Sequence, residues 1–584
     1  LSPYKDLAVA RKLPESVTLS VRSGTAGDFR ALFSPGIHSA PGLSYRFEGE
    51  VPPQAAIFAD GELRGIVPRG GGKDPPSYLG YLPAALPYRM VSRPAVAQFS
   101  LRGTEGILMA AGNGAASVTV VEPAAEYANI VALDLSDFSG GFPSAIPVEI
   151  LGEGGRNFLA RQGRKYDIIE LSDVSSLTFS SLGIHATGET YLLTREGIRG
   201  ALSRLTERGM LSVSGWLKSP PRESVKILNT LRAELDGKAV IGAPERFVVV
   251  RGWGSFVAVA RRVPFTGGEI AAAKRFCREK GFTMVWPQRG SPADAGGLEE
   301  AGFREAVRNA LVGSPIGTSE EGLFDLQPVS DDSPYFHRFL RLRSLPEFRR
   351  LLGDQWVPFV EWGVVFLVIS LAVSAALAAL FLLLPLPFAG DQRIRGGGTV
   401  GIYFAALGLG YMLIELTFLK IGILLLGDPI RAATAAIGGF PFLSGIGSAL
   451  SGRWESSKTM RRWVFPGIAV LATAGFFLLF RASPQLLAKG QGVRVFAFLS
   501  ALAPAAFLMG MPFPAALSRM ARANSTGIPY AWGVNGFFSV TGASIASVGS
   551  LWIGFHATVA AAAVLYLLAG AVFAGLGSEA SPPG

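Results

Sequence analysis

The segment Asp331-Asp332-Ser333-Pro334-Tyr335-Phe336 divides the chain into two unlike halves. Beyond it, from about Trp356 to Gly575, apolar runs succeed one another at membrane-span length. A bilayer core of about 30 Å asks roughly 20 such residues of each helix. Before it, short strands alternate with helices, the rhythm of a parallel sheet. The expected architecture is an α/β Rossmann-like soluble domain with a small N-terminal β-domain, fused to an all-α transmembrane bundle of about seven helices. Boundaries read as 1–90 for the β-rich domain and 91–340 for the Rossmann-like domain. A basic juxtamembrane linker follows at 341–356, then the bundle at 357–577 and a tail at 578–584.

Composition supports the division. Apolar residues make up 49% of the 584 and charged residues 17%, with the apolar excess in the C-terminal part. The net charge is +10, and Arg338, Arg341, Arg343, Arg349 and Arg350 cluster just before the first span. Anionic lipid headgroups attract such residues by about 1 kcal/mol each. No basic stripe interleaved with aromatics marks the soluble half, so a nucleic-acid partner is not expected. The single cysteine, Cys277, excludes an intrachain disulfide and a cysteine-based metal site. The four histidines are widely separated, and no metal is expected. The first residue is a leucine, no signal peptide is read after it, and upstream residues are expected.

The spans read as Val357–Phe388, Thr399–Leu426, Ala432–Leu450, Trp463–Phe480, Val495–Pro514, Gly533–Ile553 and Ala557–Leu576. Lysines and arginines are shared almost evenly between the two sides, so loop charge sets no orientation. Glu415 lies inside the second span, and an ionisable residue at depth is by default a functional candidate. It also reads as a carboxyl that hydrogen-bonds a neighbouring helix through Asn535 or Ser539. Met509-Gly-Met-Pro-Phe-Pro514 implies a kink or a broken helix.

In the soluble half, strands are expected at Val96–Leu101, Ser117–Val121, Val148–Leu151, Tyr166–Leu171 and Met210–Trp216. A hairpin is expected at Phe247–Arg251 and Ser255–Ala260, and an amphipathic helix at Gly267–Lys280. Ligands of such sheets bind outside the carboxyl ends of the strands. A first turn holding Gly103 and Gly106 would let the backbone approach a ligand. Glu122, ending the second strand, could accept both ribose hydroxyls, and Glu153 an adenine amino group. Asp173 stands where a substrate amine or general base would be. Singly, each acid also reads as a solvated strand end; three at successive ends point to a site.

Ser2-Pro-Tyr-Lys5, Ser117-Val-Thr-Val-Val-Glu122, Arg156-Asn-Phe-Leu159, Lys165-Tyr-Asp-Ile-Ile169 and Glu189-Thr-Tyr-Leu-Leu-Thr-Arg-Glu196 resemble spermidine-synthase-like proteins. Asp331–Phe336, Tyr411–Glu415, Met509–Pro514 and Trp532-Gly-Val-Asn-Gly536 extend the likeness to the multi-pass membrane branch of that group. The resemblance implies a class I adenosylmethionine (AdoMet) transferase fold. It implies S-adenosylmethionine or its decarboxylated form as donor, and an amine or lipophilic acceptor. It places Glu122 at the ribose, Glu153 near adenine, and Gln54 with Tyr78 or Tyr81 beside the substrate. It also implies further spans upstream of the soluble domain. Two departures stand out. Arg102 and Glu105 add bulk to the first loop, and Ser172 and Ser175 occupy the positions of two acids that the group places after the fourth strand.

Three functions remain open. The first is a membrane-integrated transferase in which Asp173 and Ser172 flank the acceptor. The second is a silent nucleotide-fold subunit of a membrane complex. The third is a polyamine or small-molecule transporter, motivated by Glu415 and the proline-interrupted span, with a sensing soluble domain; Glu415 and Asn535 are the candidate residues in the membrane. The expected location is a prokaryotic inner membrane with the soluble domain in the cytosol, where an adenosyl donor would be met.

Overall fold

The computed structural model describes residues 3–161, 163–172, 184–236, 243–287, 298–313, 324–344, 346–347, 350, 361–386, 397–454, 456–522 and 527–576. The chain forms two compact units, Leu1–Glu361 and Trp362–Gly584.

The first unit opens with a four-stranded antiparallel sheet in the order β1 (Val17–Gly24), β2 (Gly27–Phe33), β3 (Gln54–Ala59), β4 (Glu62–Pro68). Asp60 and Gly61 join β3 to β4 with φ of 50° and 87°. Two left-handed residues in succession are what a tight hairpin turn demands, and Asp-Gly supplies them at little strain. β3 and the second half of β4 are buried.

The second sheet has eight strands in the order β12-β10-β11-β9-β8-β5-β6-β7. They are β5 (Ala95–Phe99), β6 (Ser117–Val121), β7 (Val148–Leu151), β8 (Tyr166–Leu171), β9 (Leu205–Trp216), β10 (Phe247–Arg251), β11 (Ser255–Ala260) and β12 (Thr283–Trp286). β7, β6, β5, β8 and β9 run parallel. β11, β10 and β12 close one edge antiparallel. Numbered among themselves, the parallel strands follow the doubly wound order 3-2-1-4-5 and reverse direction between β5 and β8. This is the expected Rossmann-like fold, in a mixed sheet. β12 was not anticipated from the sequence.

Side chains alternate across the sheet with the period of two that a pleated strand imposes. Val96 and Ile168 enter one apolar layer, while Ala97, Phe99, Ile169 and Leu171 enter the other. The helices that matter to the site are α1 (Glu105–Gly112), after β5, and α2 (Gly155–Ala160), after β7. Beside them lie α3 (Arg195–Ser203), α4 (Arg222–Leu235) and α5 (Gly267–Lys280). α5 begins with a capping box in which the Thr266 side chain and the Glu269 side chain satisfy each other's backbone N–H groups.

The second unit is helical. Among the described residues six helices are long and apolar enough to cross a membrane: Trp362–Leu383, Gly397–Leu426, Pro429–Arg453, Met460–Leu487, Gln491–Arg522 and Gly554–Gly575. The expected seventh, at Gly533–Ile553, is a continuous helix over Ile528–Trp552 but is not among them. Asn535 and a run of serines, threonines and glycines replace aliphatic residues there. The Met509–Pro514 stretch is a true break, with one helix ending at Met509 and the next beginning at Pro512.

Candidate functional site

The crevice that a doubly wound sheet offers a ligand lies where strand direction reverses, here between the carboxyl ends of β5 and β8. A cavity of about 80 Å³ sits there, lined by Arg102, Glu105 and Gly106 after β5, Glu170 on β8 and Ser172 just after it, Ser214–Trp216 ending β9, and Ser255. Drug-sized sites run from about 300 Å³ upward, so this one holds only a few heavy atoms.

Its most buried acid is Glu170, on β8 two residues before Ser172. One carboxylate oxygen accepts from Gln98 Nε2 at 2.8 Å, and the same Gln98 nitrogen donates to the Gly106 carbonyl at 2.9 Å. The other oxygen and the Tyr88 hydroxyl face each other but lie outside hydrogen-bond geometry, so both stay sealed without a directed partner. Burial pushes the Glu170 carboxyl up to about 7, against the opposing pull of Tyr88, Gln98 and Arg102. Such orphaned atoms are uncommon inside proteins. Glu105 accepts from the Tyr78 hydroxyl at 2.8 Å. Burial, reinforced by that carboxylate, raises the Tyr78 phenol. Gln54 holds Ser39 through both ends of its amide and donates to Tyr78 at 3.4 Å.

The positions expected for an adenosyl donor are arranged differently. Glu122 is 1% exposed. Its Oε2 accepts from the Leu101 N–H at 3.0 Å and from Arg64 at 3.4 Å, and its Oε1 accepts from the Ala124 N–H at 3.1 Å. The Gly103 N–H donates to the Tyr127 hydroxyl at 2.8 Å. Tyr127 is itself fully buried and stacked on Phe29 of β2. Gly103 has φ of 68° and pairs with Ile66 of β4 in a parallel bridge. A Cβ at Gly65 would collide with the Gly103 nitrogen and the Tyr127 hydroxyl. The N-terminal sheet thus lies directly on the first loop. Gly103 has to be glycine here because a strand approaches it.

The remaining expected residues are dispersed. Glu153, at the far end of β7, pairs with Arg161. Tyr81 packs on Phe47 and lies beneath the Lys280 ammonium, 3.4 Å from its ring centre. Gly106 and Ser172 line the cavity, and Asp173 lies outside the described residues. In the helical unit, no hydrogen bond joins Glu415 to Asn535 or Ser539 among the described residues. Those two pack instead against Gly408. No group of three or more potential metal ligands occurs among the described residues.

Comparison with known proteins gives likeness to solved structures only. The chain is similar to a probable spermidine synthase from Corynebacterium glutamicum, at 14% identity over 52% of this chain and 98% of that one, TM-score 0.32. Spermidine synthase from Thermotoga maritima matches at 12% identity over 43% and 75%, TM-score 0.29. Human methyltransferase-like protein 13, solved in complex with SAH, matches at 14% over 38% and 94%, TM-score 0.24. No family model matches the chain, and no curated protein matches it in sequence. At these values the likenesses carry no functional argument; the strand order and the side chains must do so.

Those side chains do not fit an adenosyl donor as they stand. Both oxygens of the ribose-binding candidate are bonded within the protein, and the first-loop N–H is taken by Tyr127. Sequence reasoning missed Glu170, Tyr88 and Gln98. The available signal was an acid embedded in the apolar run Ile168-Ile169-Glu170-Leu171.

Proposed function

We propose that this is a membrane-integrated protein whose soluble unit uses a transferase-like fold as a binding module for a small amine. The donor half is closed by the protein's own N-terminal sheet. One observation carries this reading: β4 lies on the first loop, while Glu122 accepts from the Leu101 and Ala124 amides and Gly103 donates to Tyr127. The surviving cavity, at the β5–β8 switch point, offers two carboxylates and several hydroxyls to a ligand of a few heavy atoms. An ammonium head in the cavity would be drawn by the charge of Glu105 and Glu170, both of which line it. The six apolar helices support integration in a bilayer, in this reading a prokaryotic inner membrane with the soluble unit in the cytosol.

A second reading, amine modification by an adenosyl donor, draws on the position of the cavity beside Ser172, where such sheets do their chemistry. Calorimetry on the full chain in nanodiscs decides between them. Saturable heat with putrescine or a smaller amine is expected, lost in Glu170→Gln. No heat is expected with adenosylmethionine, its decarboxylated form or adenosylhomocysteine. Transfer of label from either donor to an amine would overturn the binding-module reading in favour of the enzyme.

A further inference from the structure

The geometry points to a second site, in the helical unit, at which Glu415 binds an organic ammonium ion between the rings of Tyr411, Phe418 and Phe440. Glu415 lies on the helix Gly397–Leu426, whose most apolar stretch is 61% buried, the largest share among the six candidate spans. Tyr411 and Phe418 stand four residues before and three after it, which places all three side chains on one stripe of the helix. Phe440 of the next helix packs against both rings, at 6.1 Å from Tyr411 and 5.7 Å from Phe418. It therefore lies across the stripe that holds the carboxylate.

Glu415 is 7% exposed and accepts no hydrogen bond from any described residue. Its oxygens are not among the sealed unpartnered side-chain atoms of the described residues. A carboxylate held among apolar helices without a donor is costly unless a cation or proton meets it. Aromatic faces attract organic cations through their quadrupoles, and a ring set with one acid is the arrangement that selects a desolvated ammonium.

The surroundings tie the site to the break between Met509 and Pro512. The Tyr411 hydroxyl faces Ser444, one turn beyond Phe440 on the same helix. The Ser444 carbonyl lies so close to Gly510 that any side chain there would collide with it. Tyr403, two turns before Tyr411, donates to the Pro512 carbonyl at 2.8 Å. Both sides of the break are thus fastened to the elements that carry the acid and the rings. In membrane proteins, interrupted helices recur where small solutes are bound at depth.

The test is choline binding by the full chain in nanodiscs, with 3,3-dimethylbutan-1-ol as the uncharged molecule of the same shape. Saturable choline binding at millimolar concentration or below is expected, with no competition from the alcohol. Glu415→Gln should weaken binding by about tenfold or more, and Phe440→Leu by roughly fivefold. Monodispersity and thermal midpoint are measured for each variant. Should Glu415→Gln not fold, Phe440→Leu carries the test. The proposal is overturned if wild type binds no choline saturably, if the folded variants bind as wild type does, or if the alcohol competes equally. It is also overturned if Glu170→Gln abolishes the binding, because the ligand would then belong to the soluble cavity.

Discussion

Gly65 of β4 and Gly103 of the loop after β5 touch backbone to backbone, with no room for a Cβ on either. Gly103 meets the Ile66 carbonyl in the same way, and the Thr104 N–H donates to that carbonyl at 3.1 Å. Two glycines, 38 positions apart by their numbers (103 less 65), therefore let the N-terminal sheet seal the loop. Gly65→Ala must push the strand away from Gly103 and Tyr127. Overpacking of this kind costs about 1–3 kcal/mol. Hydrogen exchange at the Gly103 and Thr104 amides should accelerate, while exchange in the helical unit should not change. Unaltered protection at both amides would mean that the seal does not depend on this contact.

The Glu170 carboxyl makes a pH prediction with a definite sign. Its folded value is pushed up to about 7 from 4.5 by burial. Between those values the folded protein holds a proton that the unfolded chain has released, so stability falls as pH rises through this window. The full penalty, above about pH 7, is about 3 kcal/mol. Glu170→Gln keeps the shape and stays neutral, so it should flatten this component and stabilise the soluble unit most at pH 8. Denaturant midpoints for wild type and variant between pH 4.5 and 8 provide the check. Parallel profiles for the two proteins would exclude the buried carboxyl as their source.

Arg156 and Asp331 explain two of the stretches that carried the sequence resemblance. Arg156 Nη1 and Nη2 donate to the two Asp331 oxygens at 2.6 and 2.7 Å, and the Thr194 hydroxyl adds a bond of 2.7 Å. The Asp331 N–H is accepted by Glu196 at 3.0 Å. The pair fixes the Asp331–Phe336 segment to α2 and to the start of α3. Removing one partner of a buried pair typically costs 3–5 kcal/mol, whereas replacing both by apolar residues is often close to neutral. Asp331→Ala should therefore destabilise the soluble unit strongly, and Arg156→Met with Asp331→Leu should recover most of the loss. Additive losses in the double variant would show that the pair is not the source.

The sheet was legible because alternation of apolar residues and the punctuation of turns are local signals. Ser117–Val121, Val148–Leu151 and Tyr166–Leu171 are strands at the residues expected. The closure at Gly103 was not legible, since nothing near that glycine reveals that Ile66 will pair with it. Glu122 read as a ribose acceptor because a strand-end acid looks the same whether it faces solvent, a sugar or the Leu101 and Ala124 amides. Glu170 was hidden for the opposite reason: inside a strand it reads as one more rung of the ladder. At Ile528–Trp552 a helix stands where the seventh span was expected, but its serines and glycines leave it less apolar than the six clear candidates.

Lys226 on α4 gives the last prediction, and its sign is the reverse of Glu170's. The ammonium is fully buried, donates to the Arg338 carbonyl at 2.7 Å and lies 4.8 Å from the centre of the Phe339 ring. Burial lowers its folded value from 10.5 to about 8, against the pull of Asp325 and Glu361. Between about 8 and 10.5 the unfolded chain holds a proton that the folded protein has lost, so this group makes stability rise with pH across that window. Below it, the charged form is kept at a cost of about 3 kcal/mol. Lys226→Met retains the apolar stem and loses the charge, at the expense of one hydrogen bond of about 1 kcal/mol. The variant should gain roughly 2 kcal/mol at pH 7 and lose most of the rise above pH 8. Hydrogen exchange in α4, followed from pH 7 to 10, measures both effects on the element concerned. A variant less protected than wild type at pH 7 would mean that the ammonium contributes more through Arg338 and Phe339 than its burial costs.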